Sequence, residues 1–341
     1  MKILITGGAG YIGSQTITEV LKSTDWEIIS IDNYSTSFER TYERITAITE
    51  KKIKYYNIDL KNLAETQQVF KENPDIKGII HFAAHKWVGE SVENPIKYYD
   101  NNLNSLLNIL KCQKEFDVPY LIFSSSCSVY GNIDELPVTE GSTLSKSESP
   151  YAHTKQISER IIEGFIKTAT EQKAIALRYF NPVGADMSGL NGEIQLVPNN
   201  LIPFVTQTAI GKNECLSVYG GDYDTRDGTC IRDYIHVTDI ASAHILALKK
   251  LVENSEMPNY DVINLGTGQG VSVLEIIDAF EKVSGKKLNY TIGARREGDV
   301  ESIYADNSKA KKILGWEPIL NIEDMMLSAW KWEQNLATNN F

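Results

Sequence analysis

The sequence is poor in cysteine and short of positive charge, and each shortage narrows what the chain can be. Four cysteines, Cys112, Cys127, Cys215 and Cys230, are spread over 341 residues. None forms a CxxC pair, so neither a zinc site nor a disulfide framework is expected, and reduced thiols in a cytoplasmic protein fit better. The five histidines, His81, His85, His153, His236 and His244, show no metal-ligand spacing. Asp222, Asp224 and Asp227 meet only part of a calcium-loop pattern and read as a solvated loop, so no metal is expected. A formal net charge of −11 argues against nucleic acid or an anionic membrane as the main partner. No apolar run approaches the roughly 18 residues of a membrane span. The opening Met1-Lys2-Ile3-Leu4-Ile5-Thr6 is too short for a signal-peptide core and flows into glycines, so it reads as a strand and nothing marks export. Repeats, low-complexity tracts and free linkers are also missing.

What is present is the composition of a soluble globular protein, 42% hydrophobic and 23% charged. Its length suits two lobes. Strand and helix patterns alternate through the first 180 residues. Strands are expected at Lys2–Thr6, Trp26–Asp32, Ile53–Asn57, Gly78–Ala84, Tyr120–Ser125 and Ala174–Phe180. Helices are expected at Tyr11–Leu21, Pro95–Phe116 and Tyr151–Thr168; in the last, Ile157, Ile161, Ile162, Phe165 and Ile166 share a connected face. This alternation implies a doubly wound parallel α/β sheet covered on both faces. Residues 181–232 turn rich in Gly, Asn and Asp, with only short ordered pieces expected. A helix at about Thr238–Leu251 and a strand at Val262–Leu265 look like a return to the first lobe. Helices near Ser272–Ser284 and Met325–Gln334 belong to a smaller, interleaved C-terminal lobe, with a cleft between the two as the expected binding site.

The first strand runs into Thr6-Gly7-Gly8-Ala9-Gly10-Tyr11-Ile12-Gly13. Gly8, Gly10 and Gly13 satisfy GxGxxG, and Gly7, Gly10 and Gly13 satisfy GxxGxxG. Such glycines allow a tight turn, close backbone approach to a pyrophosphate, and a helix start whose amides face the phosphates. Asp32 ends the second strand 19 residues past Gly13. Its carboxylate suits ribose hydroxyls and repels a 2′-phosphate, which favours NAD over NADP in a Rossmann-type lobe.

Tyr151-Ala152-His153-Thr154-Lys155 is a YxxxK run preceded by Ser149 and Pro150, which suit a helix cap and first turn. Residues four apart share a helix face, so Tyr151 and Lys155 project together. A phenol with an ordinary pKa of about 10 is a weak base. A neighbouring ammonium and a positive nicotinamide ring favour the phenolate and make it a usable general base. Upstream, Phe123-Ser124-Ser125-Ser126-Cys127-Ser128-Val129-Tyr130-Gly131 lies just past the fifth strand, where a doubly wound sheet carries its ligand site and a serine can hydrogen-bond the reacting oxygen.

These residues resemble the extended short-chain dehydrogenase/reductase family and, more closely, its UDP-glucose 4-epimerase branch. The resemblance covers almost the whole chain. It runs through TGGAGYIG at 6–13, HFAA at 81–84, VGESVENPIKYYDNN at 88–102, FSSSCSVYG at 123–131 and SPYAHTK at 149–155. It continues through LRYFNPVGA at 177–185, PNNL at 198–201, DGTCIRDYIHV at 227–237 and RREGD at 295–299. It implies a catalytic set of Ser126, Tyr151 and Lys155. It implies NAD contacts from Gly7, Gly10, Tyr11, Ile12, Gly13, Asp32, Asn33, Asp59, Leu60, Phe82, Ala83, Lys86, Asn101 and Phe180. It implies UDP-hexose contacts from Asn181, Asn200, Leu201, Tyr219, Arg232, Arg296, Asp299 and Ile303. Residues 1–180 would form the dinucleotide-binding domain, rejoined by the chain at about 233–265, and 181–341 the nucleotide-sugar domain. The two arginines also make physical sense, since an acidic protein must hold a dianionic pyrophosphate and guanidinium forks suit phosphate oxygens.

The resemblance implies oxidation of the sugar C4 hydroxyl to a 4-keto sugar, turning of that sugar, and reduction from its other face, in a cytoplasmic homodimer. A 4,6-dehydratase is a rival, but that branch follows the serine/threonine position with Asp-Glu, and here Cys127 and Ser128 follow Ser126. An epimerase of UDP-N-acetylhexosamines is another. The family gates the space beside C2 with tyrosine or with cysteine, and Ile303 is neither. A non-catalytic NAD-binding sensor is a third, against which the retained Ser126, Tyr151 and Lys155 weigh.

Overall fold

The structure, a computed structural model, describes residues 1–338 apart from 134, 170, 196–197, 255 and 297–298. Through the first half run β1 (Lys2–Thr6), α1 (Tyr11–Ser23), β2 (Glu27–Asp32), α2 (Thr41–Thr49), β3 (Lys54–Asn57), α3 (Leu63–Glu72), β4 (Ile76–His81), α4 (Val88–Glu93), α5 (Pro95–Glu115), β5 (Tyr120–Ser126), α6 (Pro150–Thr168) and β6 (Lys173–Tyr179). The second half holds β7 (Asn181–Val183), α7 (Leu201–Ala209), β8 (Leu216–Tyr219), β9 (Ile231–Arg232), β10 (Tyr234–His236), α8 (Val237–Glu253) and β11 (Tyr260–Leu265). It ends with β12 (Val271–Ser272), α9 (Val273–Ser284), β13 (Tyr290–Gly293), β14 (Ser302–Ile303), α10 (Ser308–Leu314) and α11 (Ile322–Thr338).

Seven strands form one parallel sheet in the order β3-β2-β1-β4-β5-β6-β11. The apolar run of β1 shows why. Successive strand residues face opposite sides, and here both sides are buried. Ile3 and Ile5 join the core that holds Ile17 of α1 and Leu248 of α8. Leu4 joins the other, with Ile109 of α5 and Ile162 of α6. Strand order reverses between β1 and β4, which opens a crevice at their carboxyl ends. A third core gathers Val205, Val218, Ile276, Phe280, Met326 and Trp330 from α7, β8, α9 and α11. Between the two halves the chain re-enters the sheet: α8 packs against α1, and β11 is the edge strand beside β6. Among the described residues no helix is long and apolar enough to cross a membrane.

Several expectations need correction. The fourth strand ends at His81 rather than Ala84. The Phe82 amide still donates to the Thr6 carbonyl at 3.1 Å, but Ala83 leaves the sheet and passes over the glycine turn. The 181–232 segment, expected to hold only short pieces, contains α7; α2, α3, α4 and α10 were not read either. The last helix is longer than Met325–Gln334, spanning Ile322–Thr338.

Candidate active site

The glycine turn connects β1 to α1 and folds back on itself. Gly7 has φ +70°, and a Cβ there would lie 2.8 Å from the Ala83 amide nitrogen. A Cβ on Gly13 would lie 2.2 Å from the Gly7 carbonyl oxygen. Only glycine fits at either position. Gly10 caps α1 without any side-chain cap, which leaves first-turn amides available to an anion. At the end of β2, Asp32 Oδ2 accepts the Ala9 amide at 2.9 Å, and Oδ1 accepts the Tyr34 amide at 2.9 Å and the Ser37 hydroxyl at 2.7 Å. The carboxylate is thereby fixed in the wall of a cavity of about 400 Å³. This cavity is lined by every residue of the expected NAD set: Gly7, Gly10, Tyr11, Ile12, Gly13, Asp32, Asn33, Asp59, Leu60, Phe82, Ala83, Lys86, Asn101 and Phe180. A glycine-only cradle, an uncapped helix start and an anchored acid fit a dinucleotide.

Ser126, Tyr151 and Lys155 line the same cavity. Ser149 caps α6 by accepting the Ala152 amide at 3.2 Å, which sets Tyr151 in the first turn and Lys155 one turn on. Lys155 Nζ donates to the Ser124 carbonyl at 2.6 Å and sits 5.9 Å from the Tyr151 ring centre and 4.9 Å from that of Phe123. Burial pushes the Tyr151 phenol up to about 12, and the Ser126 hydroxyl pulls the other way. Burial also lowers Lys155 to about 8, against the upward pull of Glu159. The Ser126 hydroxyl accepts from the Ser128 amide at 3.2 Å and from the Ser128 hydroxyl at 3.0 Å.

A second cavity, of about 500 Å³, is lined by Asn181, Asn200, Leu201, Tyr219, Arg232, Arg296 and Asp299. Tyr11, Asn181, Glu193 and Asn200 line both cavities, so the two form one cleft. Arg296 donates to Asp299 Oδ1 at 2.7 Å, and Arg232 lies 3.6 Å from the same oxygen. One carboxylate thus gathers two guanidinium groups that face the cleft. Glu297 and Gly298 of the RREGD segment lie outside the described residues.

Ile303 departs from its expected place. It is 8% exposed and packs with Val129, Tyr130, Val138 and Phe180. It lines neither cavity. Strand β14 pairs with β9 and turns this side chain into the core. Of the aspartates read as a solvated loop, Asp222 pairs with Arg295 at 2.8 Å, and Asp227 accepts the Thr229 amide at 2.9 Å. Among the described residues no group of three or more His, Cys, Asp or Glu side chains could hold a metal.

Three features escaped sequence reasoning. Lys86 forms an ion pair with Glu193 across the cleft, above the Tyr11 ring. Asp233, fully buried beside Arg232, accepts from the Thr267 amide and hydroxyl at 2.7 and 2.6 Å and from the Gly268 and Ala305 amides at 3.1 Å. Glu159 and Arg178 form a buried ion pair beneath Ser125. The one available signal was an arginine inside the apolar strand Ala174–Phe180.

A parallel sheet whose glycine turn faces a serine, a tyrosine and a lysine, beside an arginine-lined cavity, defines a nucleotide-sugar enzyme of the short-chain dehydrogenase/reductase class. Residues 4–328 match the sequence model of a family described as GDP-mannose 4,6 dehydratase. The UDP-glucose 4-epimerase of Bacillus subtilis is 45% identical over 98% of this chain and 97% of its own. The crystal structure of UDP-glucose 4-epimerase from Bifidobacterium longum, in complex with NAD+ and UDP, superposes with a TM-score of 0.92 at 45% identity over 98% of both chains. That of the Stenotrophomonas maltophila UDP-glucose 4-epimerase, with bound NAD and formylated UDP-arabinopyranose, gives a TM-score of 0.96 at 39% identity over 99% of both chains. The chain belongs to this family and, within it, to the UDP-glucose 4-epimerases.

Proposed function

We propose that this protein interconverts UDP-glucose and UDP-galactose by oxidising and re-reducing C4 of the hexose, with NAD as its resident cofactor. The observation that carries the reading is the placement of Tyr151, Lys155 and Ser126 in the glycine-turn cavity, which opens through Tyr11, Asn181 and Asn200 into the arginine-lined one. Held in that cavity, NAD would supply the hydride acceptor and donor for C4, so the net redox change is zero.

The chain's own residues do the rest. Tyr151 takes the proton of the 4′-hydroxyl and gives it back on reduction. Ser126 hydrogen-bonds the 4′-oxygen. Lys155 supplies the positive charge that offsets the burial of the phenol. Arg232 and Arg296 hold the pyrophosphate, with Asn181, Asn200, Leu201, Tyr219 and Asp299 around the nucleotide. The sugar is then free to turn while UDP stays fixed. Most binding energy comes from groups remote from the reacting carbon.

Dehydration to a 4-keto-6-deoxy sugar does not suit this site. It needs an added acid and base after Ser126. Burial pushes the Cys127 thiol up to about 12, and the Ser128 hydroxyl is committed to Ser126. Ile303 is neither of the residues with which the family gates the space beside C2, and it lines neither cavity, so a secondary activity on UDP-N-acetylhexosamines forms part of the proposal. Residues 1–180 with 233–265 serve the dinucleotide, and the remainder of 181–341 serves the nucleotide sugar. We also propose a cytoplasmic homodimer. Four free thiols support the location. Exposed Val88, Val92 and Ile96 on α4 and α5, at 51%, 61% and 76%, offer an apolar face to a second copy. Purified protein given UDP-galactose without added NAD should form UDP-glucose. No conversion, even with NAD supplied, refutes the reading.

A further inference from the structure

Beneath the site lies a buried polar network that the proposed reaction does not itself use. Glu159 sits on α6 one turn beyond Lys155, and Arg178 lies within β6; they are 5% and 4% exposed. Arg178 Nε donates to Glu159 Oε1 at 2.8 Å and its NH2 to Oε2 at 2.5 Å. The same Oε1 accepts the Ser125 hydroxyl at 2.5 Å. Arg178 NH1 donates to the Tyr130 hydroxyl at 2.9 Å, and Tyr130 donates to Asn264 Oδ1 at 2.6 Å.

The partners bracket one short segment. Ser125 immediately precedes Ser126. Tyr130 closes the 3-10 turn Cys127–Tyr130 that Ser126 opens. One ion pair therefore pins the Ser126 segment from both sides. It also ties that segment to the helix that carries Lys155, whose ammonium is already bonded to the Ser124 carbonyl. Isolated buried ion pairs seldom add net stability, whereas one that fixes the relative placement of two reacting groups has a functional use.

We propose that Glu159 and Arg178 are positioning residues for the epimerisation: their ion pair holds the Ser126 hydroxyl and the Lys155 ammonium in register within the one cavity they line. The inference rests on the C4-epimerase reading. Around Lys155 and Glu159 the titratable groups are Tyr151 on α6, His81 on β4, Tyr98 on α5, Tyr130 in the turn, Arg178 and Tyr179 on β6, and Tyr260 on β11. Against the effect of burial, it is Glu159, and none of these, that raises Lys155. Its carboxylate thus acts on charge as well as on geometry.

The test is the pH profile of UDP-galactose turnover, expressed per mole of NAD-loaded enzyme so that lost folding does not count. Glu159→Gln should lower kcat ~10- to 100-fold with KM little changed, because small misplacements of reacting groups cost that much. It should also move the pH at which kcat levels off to a lower value. Ser125→Ala cuts one strut without stranding a buried charge. It should lower kcat several-fold, with the levelling-off pH unmoved. If Glu159→Gln does not fold, Ser125→Ala decides alone. Wild-type kcat in Ser125→Ala, or in a folded Glu159→Gln with its levelling-off pH unmoved, overturns the proposal. An inactive wild type would instead overturn the epimerase reading itself.

Discussion

Tyr151 must give up its proton in a place where burial resists charge, and Lys155 must keep its proton in the same place. Burial pushes the phenol up to about 12 and the ammonium down to about 8. The ammonium is the working form of Lys155, and it is lost as pH rises through about 8. The phenolate fraction still grows there, so we expect kcat to rise up to about pH 8 and then level off; a kcat climbing without a break towards pH 10 would remove Lys155 from the role given to it. The stability effect has the opposite sign. The folded pKa is depressed, so deprotonation favours folding increasingly between about 8 and the usual 10.5. Gly13 offers a second check at this scale. Gly13→Ala drives a methyl to within 2.2 Å of the Gly7 carbonyl, and we expect protein that purifies without bound NAD, as read by cofactor released on denaturation. The glycines, Asp32 and the Tyr151/Lys155 pair were legible in the sequence because each constraint is local: a turn, a strand end, one face of a helix. The Glu159–Arg178 pair was not, because its members lie on different elements and meet only when α6 packs on the sheet. Ile303 misled for the same reason: a position counted from RREGD says nothing of which way β14 faces.

Helix α9 and helix α7 show what decides legibility among elements. Ser272 accepts the Glu275 amide at 3.1 Å, and the Glu275 side chain accepts the Ser272 amide at 2.8 Å, a reciprocal cap. The far end closes on Gly285 with φ +67°. Both signals are printed in the sequence, and the helix was expected close to where it lies. Ser272 also donates to Asp227, which ties this cap to the loop before β9. Ser272→Ala should cost about 1 kcal/mol for the cap, visible as a lowered denaturation midpoint; no change would mean that the cap is idle. Helix α7 gives no such signal. Pro203 and β-branched residues fill Leu201–Ala209. Proline is tolerated there because first-turn amides have no helical partner, and buried Ile202 and Val205 dock the helix into the third core. Tertiary packing, unseen in a linear pattern, sustains it.

For the molecule as a whole, the net charge of −11 makes the cleft's two arginines a local exception, and UDP binding should depend on them. Arg232→Met should raise KM for UDP-galactose ~10- to 100-fold, the worth of a charge-assisted hydrogen bond to phosphate. It should disturb kcat much less, since the reacting carbon is remote. An unchanged KM would move the pyrophosphate elsewhere. The return of α8 and β11 to the first sheet was readable from strand and helix patterns after residue 233. The meeting of two cavities at Tyr11, Asn181 and Asn200 was not, because shared walls belong to the folded object alone. The most direct test of the whole account follows one hydrogen atom. UDP-galactose carrying deuterium at hexose C4 is incubated in ordinary water with protein that has only its own bound NAD. The account requires the UDP-glucose formed to keep its deuterium at C4. Loss of that deuterium to the solvent would contradict it.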